Sequence, residues 1–129
     1  MMNPNQTLDD IQWQTLIQQT ASFFSDLTIK RGFQYYKQGR VHASELIDPP
    51  GMIEAAVDGT ETYRVKLHLH SLSDSECSCP VNEGCKHMVA VLLDYAQLQG
   101  RSIHALVNAH STTYAPTSSY DRSGSDFSP

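Results

Sequence analysis

At 129 residues the chain is the right size for one domain, and its 40% hydrophobic content suits a small globular core. A formal net charge of −5 argues against indiscriminate electrostatic binding to nucleic acid, although the distribution of charge is a separate matter. The three cysteines cannot all pair, which excludes a disulfide framework as the organising principle. An odd, clustered set instead points to metal ligation or reactive thiols in a reducing compartment. No apolar run approaches the roughly 18 residues of a membrane span, and "MMNPNQTLDDIQWQ" lacks the basic and apolar regions of a secretory signal. The sequence therefore reads as cytoplasmic.

Two helices open the chain. Thr7 and Asp10 fit a capping box, and Leu8, Ile11, Trp13, Leu16, Ile17 and Phe24 follow at mostly helical spacing. Asp26 or Thr28 can cap a second helix, "LTIKRGFQYYKQ". Its buried face is marked by Ile29, Phe33 and Tyr36, and Gly39 stands where a glycine terminator belongs.

Three strands come next. Val41 to Ile47 runs into "DPPG", whose two prolines fit no simple turn type, and Met52 to Val57 leads to Asp58-Gly59, the signature of a tight hairpin. "TYRVKLHLH" alternates: Tyr63, Val65, Leu67 and Leu69 face one way, and Arg64, Lys66, His68 and His70 the other. This predicts an antiparallel meander with one wet face. "HMVAVLLDYAQLQG" then predicts a helix ending at Gly100, apolar nearly all round and hence buried, with Lys86, Ala90, Asp94 and Gln97 as its solvent stripe. "SIHALVNAH" adds a short final helix. The expected organisation is one domain over residues 1–110, and a tail or linker of Ser, Thr, Pro and Gly over residues 111–129.

The chemistry concentrates in "CSCPVNEGCKH", which holds all three cysteines. Cys77 and Cys79 are two apart, so in an extended segment both sulfurs project to one side. Cys85 and His87 repeat that spacing at the entry to the buried helix, and Pro80 and Gly84 bracket a loop short enough to bring the pairs together. Three sulfurs and one nitrogen suit tetrahedral Zn²⁺. Four ligands close the shell, which points to a structural rather than a catalytic ion. Zinc binding in small fingers is worth about 10–16 kcal/mol, against about 5–15 kcal/mol for the stability of a whole domain. Loss of the metal is thus expected to loosen at least the second half of the fold. The competing readings are three inert buried thiols, or a Cys85 nucleophile with His87 as its base. The polar neighbours Glu76, Ser78, Asn82 and Glu83 disfavour the first. Against the second stand the poor mutual orientation of residues two apart on a helix and the lack of an orienting carboxylate. His68 and His70 are either two solvated histidines or a second, weaker metal site.

The pattern C-x-C, short loop, C-x-H opening an apolar helix resembles the SWIM-type zinc finger. "RGFQYYKQGRV" is similar to the segment preceding that finger in bacterial SWIM regions at the head of SNF2-type helicases. "IEAAVDGTETYRVKL" resembles the family's strand pair, and "CKHMVAVLLDY" its closing helix. The likeness covers roughly Leu27 to Leu98. It implies a zinc-binding module, with Cys77, Cys79, Cys85 and His87 as ligands, that contacts DNA or other proteins. No G-x-x-x-x-G-K-[ST] phosphate loop is present, so helicase activity is not implied. The sequence fits either a free-standing SWIM protein or the N-terminal piece of a longer one.

Two functional readings follow, and neither is an enzyme. From Leu27 to Ala43 there are four basic residues, Lys30, Arg31, Lys37 and Arg40, and no acid; Phe33, Tyr35 and Tyr36 are interleaved. Such a stretch can meet phosphates and, through an exposed Tyr35, stack on a base. Lys86, Arg64 and Lys66 can extend it. The plainer reading is a solvated helix face over core aromatics. The acidic balance and small size instead suit an adaptor for a protein partner, an SNF2-type ATPase or a recombinase-like subunit. No membrane and no small-molecule substrate are expected. The expected fold is α+β: two N-terminal helices, a three-stranded antiparallel meander, and a zinc-stapled C-terminal helix.

Overall fold

The computed structural model describes residues 9–47, 51–80 and 84–114. Within them run α1 (Asp10–Phe23), α2 (Asp26–Lys37), β1 (Val41–Ile47), β2 (Met52–Asp58), β3 (Thr62–His68), β4 (Glu76–Cys77), α3 (Lys86–Leu98), α4 (Ile103–Val107) and α5 (Ala109–Tyr114). The α+β class and the order of elements match the sequence reading; several boundaries and one strand do not.

The first helix starts at Asp9, whose carboxylate accepts the Gln12 N–H at 2.8 Å while the Gln12 side-chain oxygen accepts the Asp9 N–H at 3.0 Å. This reciprocal box replaces the one expected at Thr7, which lies outside the described residues, as does Leu8. Trp13, Leu16, Ile17 and Thr20 form the buried face of α1. Ile11, expected among them, is 78% exposed. It stands two residues from Trp13, about 200° around the helix, and both cannot face one core. The cap of α2 is Ser25 rather than Asp26 or Thr28: its hydroxyl accepts the Thr28 N–H at 3.1 Å. Gly39 ends α2 in the left-handed region at φ +70, as the sequence implied. Ile29 is fully buried, whereas Phe33 and Tyr36 are only half-buried.

The sheet has four antiparallel strands in the order β1-β2-β3-β4, one more than the expected meander. The additional strand is two residues long, with Cys77 opposite Val65 and Glu76 opposite Lys66. A strand so short carries no alternation by which a sequence could announce it. Asp58 pairs with Thr62, so the hairpin turns through Gly59, Thr60 and Glu61 instead of a two-residue turn. The alternation along β3 holds: Tyr63, Val65, Leu67 and Leu69 are buried, and Arg64, Lys66 and His70 are exposed. The edge strand β1 carries a bulge between His42 and Glu45, where Ala43 takes a φ of 54. Within it, Ser44 hydrogen-bonds the Asp94 carboxylate of α3. Pro49 and Pro50 lie outside the described residues.

At the centre lies α3, touching all four strands, α2 and α4. Every residue from His87 to Leu93 is buried, as expected of a helix apolar nearly all round. Ala90, assigned to the solvent stripe, is fully buried. There α2 crosses α3 so closely that a Cβ on Gly32 would overlap Val89 and come within 2.9 Å of the Lys86 carbonyl. That crossing covers the turn carrying Ala90. The single final helix expected at "SIHALVNAH" is instead two, and α5 runs past the boundary placed at residue 110. Residues 115–129 lie outside the described residues.

Two outcomes follow from this packing. Gly32→Val forces α2 off α3 and lowers stability by about 1–3 kcal/mol, as overpacked sites do; an unchanged urea midpoint would show slack at the crossing. Partial burial raises the Asp94 pKa, with the Ser44 bond opposing. A raised pKa in the folded state means that the ionised form disfavours folding at neutral pH, a penalty relieved as the carboxyl protonates on acidification. Asp94→Asn therefore raises the urea midpoint slightly at pH 7, and its advantage vanishes in acid.

Candidate metal centre

The four residues of the cysteine-histidine cluster converge, and backbone geometry explains how. Ser78 is pinned to β3 twice: its N–H donates to the Arg64 carbonyl at 3.0 Å, and its hydroxyl accepts the Arg64 N–H at 2.9 Å. These bonds continue the β3–β4 ladder past its two formal residues. Held outward, Ser78 leaves Cys77 and Cys79 on either side directed inward, both buried. Cys85 is the N-cap of α3, with extended backbone (φ −97, ψ 164), and His87 is the second helical residue. On a continuous helix, residues two apart diverge. Because Cys85 stands outside the helix, its sulfur and the His87 ring reach the same point.

Nδ1 of His87 is 3.7 Å from the Sγ of Cys77 and 3.7 Å from that of Cys85. The ligand atoms of Cys77, Cys79, Cys85 and His87 all lie within 4.8 Å of one another. A tetrahedral zinc ion with bonds of about 2.0–2.3 Å sets neighbouring ligand atoms about 3.6–3.8 Å apart. The site thus fits such an ion with little adjustment. Its electrostatics also call for one. Cys77 is pushed up, chiefly by its hydrogen bond with Cys85 and then by burial. Cys85 is lowered to about 4, chiefly by the Cys77 thiol, against burial, with His87 and the Met88 amide contributing. Unaided, the sulfurs share protons; a divalent cation stabilises all three as thiolates.

The far side of the His87 ring meets aromatic carbon. The Tyr63 ring lies 4.6 Å away at a tilt of 34°, and Tyr35 approaches edge-on at 5.5 Å. Gly59 gives the ring room, since a Cβ there would stand 3.4 Å from Nε2 and 2.7 Å from the Tyr63 ring. Among the described residues, aromatic packing rather than a second hydrogen bond orients this imidazole. The aromatic wall also gathers charge: the Arg40 guanidinium sits 4.7 Å and the Lys86 ammonium 5.1 Å from the Tyr35 ring centre.

The structure does not bring the side chains of the basic stretch together in one group. Arg31, Tyr35 and Arg40 stand on the finger's side of α2, with Lys86 joining them. Lys30 turns to Asp26 at 3.0 Å and the Val107 carbonyl at 3.3 Å, and Lys37 lies over the Phe33 ring. Tyr35 is half-buried beneath two cations rather than laid open for stacking. Arg40 also bonds the Gln38 side chain and the Asp58 carbonyl. Among the described residues, His68 and His70 join no metal-competent group. The sequence reading did not single out Thr28, Thr60 and Tyr63, which line a cleft beside the finger. Tyr63 had been counted only as one more inward residue of an alternating strand.

The SWIM zinc finger family model matches residues 63–96, from the start of β3 to the last turns of α3, and so spans all four candidate ligands. Over 65 residues the chain is 35% identical to a Bacillus subtilis (strain 168) protein named "Uncharacterized protein YwqB". That alignment takes in 50% of this chain and 12% of the relative. No solved structure matches. Family match and geometry together support a Cys3His metal-binding group consistent with zinc. Cys85→Ser removes a ligand at the residue that opens α3, so the purified variant is expected to carry no zinc and, with the junction untied, to lose helicity even though serine is itself a good N-cap. Zinc content equal to the unaltered protein's would refute the ligand assignment.

Proposed function

We propose that this chain is a non-catalytic DNA-binding accessory module working in the reducing cytoplasm. Cys77, Cys79, Cys85 and His87 hold one structural zinc ion that ties the end of the sheet to the start of the central helix. Four protein ligands leave the ion no place for substrate, which supports a structural role. The observation that carries the DNA reading is the gathering of Arg31, Arg40 and Lys86 around Tyr35 beside the finger, in a protein whose net charge is −5. Local positive potential on an acidic protein favours a defined contact with phosphate over a diffuse one. Lys37 lies outside this group and adds to it at longer range.

A second reading has its own support. Ile11 and Leu98 are 78% and 70% exposed, at the end of the molecule where Arg101 bonds Asp10 at 2.8 Å. Exposed apolar side chains suit a protein partner, here an SNF2-type ATPase or a recombinase-like subunit that supplies the catalysis.

Fluorescence anisotropy with labelled single- and double-stranded DNA, repeated over a range of salt, separates the two. Binding is expected to weaken with salt in proportion to the phosphates contacted. Lys37→Glu is expected to weaken it severalfold without loss of helicity, because that side chain lies over the Phe33 ring and, among the described residues, joins no ion pair. No binding to either probe at low salt would overturn the DNA reading and leave the adaptor.

A further inference from the structure

A cleft of about 300 Å³ opens onto the candidate metal centre, and Cys79, Cys85 and His87 form its floor. One wall is α2, which presents Thr28, Arg31 and Tyr35 three and four positions apart and so on one helix face. The hairpin supplies Thr60 and Tyr63, and the finger supplies Lys86 above the ligands. Two cations and several hydroxyls line it, and among the described residues no carboxylate does.

The charge exceeds what the metal centre needs. Zinc with three thiolates and a neutral imidazole carries about one net negative charge, which a single cation balances. The cleft holds Arg31 and Lys86, with Arg40 set against the same Tyr35 ring. Among the described residues Arg31 forms no ion pair, and Lys86 meets only the tyrosine face. An anion is therefore the complementary ligand, and the guanidinium and hydroxyls offer a phosphate its hydrogen-bond donors.

Size narrows the class. The volume stands at the lower end of the roughly 300–1,000 Å³ of small-ligand sites, and the ligand floor takes part of it, so it holds no more than one nucleotide and no nucleic-acid groove. A duplex keeps its bases stacked within and must unpair one to fill such a space; a single strand need not. We propose that the cleft seats one unpaired nucleotide of a DNA strand, its phosphate between Arg31 and Lys86 and its sugar or base against the tyrosine-lined wall. This rests on the DNA reading above and specifies which form of DNA the finger engages.

The test compares a fluorescein-labelled oligothymidylate with a hairpin duplex of equal length, using zinc-loaded protein. The unaltered protein is expected to favour the single strand. Arg31→Ala is expected to weaken strand binding about tenfold, the loss of one charge-assisted phosphate contact, and to lower the salt slope by about one. The strand-to-duplex preference falls with it. Lys37→Ala, outside the cleft, weakens both probes alike and keeps that preference. Thymidine monophosphate added to ¹⁵N-labelled protein is expected to shift the amides of Thr28, Arg31, Thr60 and Lys86. An equal loss on both probes for Arg31→Ala, with retained zinc and helicity, overturns the seat and leaves the DNA reading standing. So do amide shifts centred elsewhere. Inorganic phosphate reproducing the whole shift overturns the nucleotide and leaves a bare phosphate site. Failure of both DNA probes to bind at low salt overturns seat and DNA reading together.

Discussion

Three thiols and an imidazole stand within 4.8 Å of one another, with almost no water, where the sheet passes to its central helix. Polar groups in such a place are unfavourable unless something satisfies them. Here the sulfurs compete for protons, raising Cys77 and lowering Cys85. A single cation would resolve the competition, and the rest of the architecture is arranged around that junction. The central helix is capped by Cys85 and is buried without a break from His87 to Leu93. It touches every strand and two other helices. A disturbance at its first turn therefore reaches the whole core rather than an appended loop.

The ligand set was legible because its spacing encodes its geometry. Two residues apart means the same side in an extended segment, and Cys77 and Cys79 obey that rule because Ser78 is held to β3 by two hydrogen bonds. Cys85 and His87 obey it for another reason: one of them caps the helix and the other lies inside it. Alternation along β3 was equally plain. What escaped the sequence was anything decided between elements. Ala90 looked like a solvent position until α2 crossed over it at Gly32. Ile11 looked like core because the apolar spacing of α1 admitted more than one phase. A two-residue strand has no period at all.

The cleft belongs to that second group. In the sequence Thr28 read as a possible cap of α2, Arg31 as a basic residue of a helix face and Tyr35 as an exposed ring. They become a wall only because Gly32 lets α2 approach the first turn of α3, bringing Arg31 toward Lys86. One glycine thus sets both the burial of Ala90 and the existence of a cationic recess beside the finger.

Tyr35 changes role in this light. The sequence offered it as a platform for a base, yet its ring already carries Arg40 and Lys86 and rests edge-on against His87. Each cation–ring contact is worth only about 0.5–1 kcal/mol at such partly exposed positions. That is too little to matter much to folding, yet enough to restrict side chains that would otherwise sample many rotamers. Among the described residues no carboxylate pairs with Arg31, Arg40 or Lys86; the ion pairs present are Asp26 with Lys30, Glu54 with Lys66, Asp58 with His42 and Asp10 with Arg101. The aromatic face therefore positions positive charge without neutralising it, as a carboxylate would. On the proposed DNA reading, a phosphate beside the finger would meet cations already held in place, so less ordering would be required of them on binding.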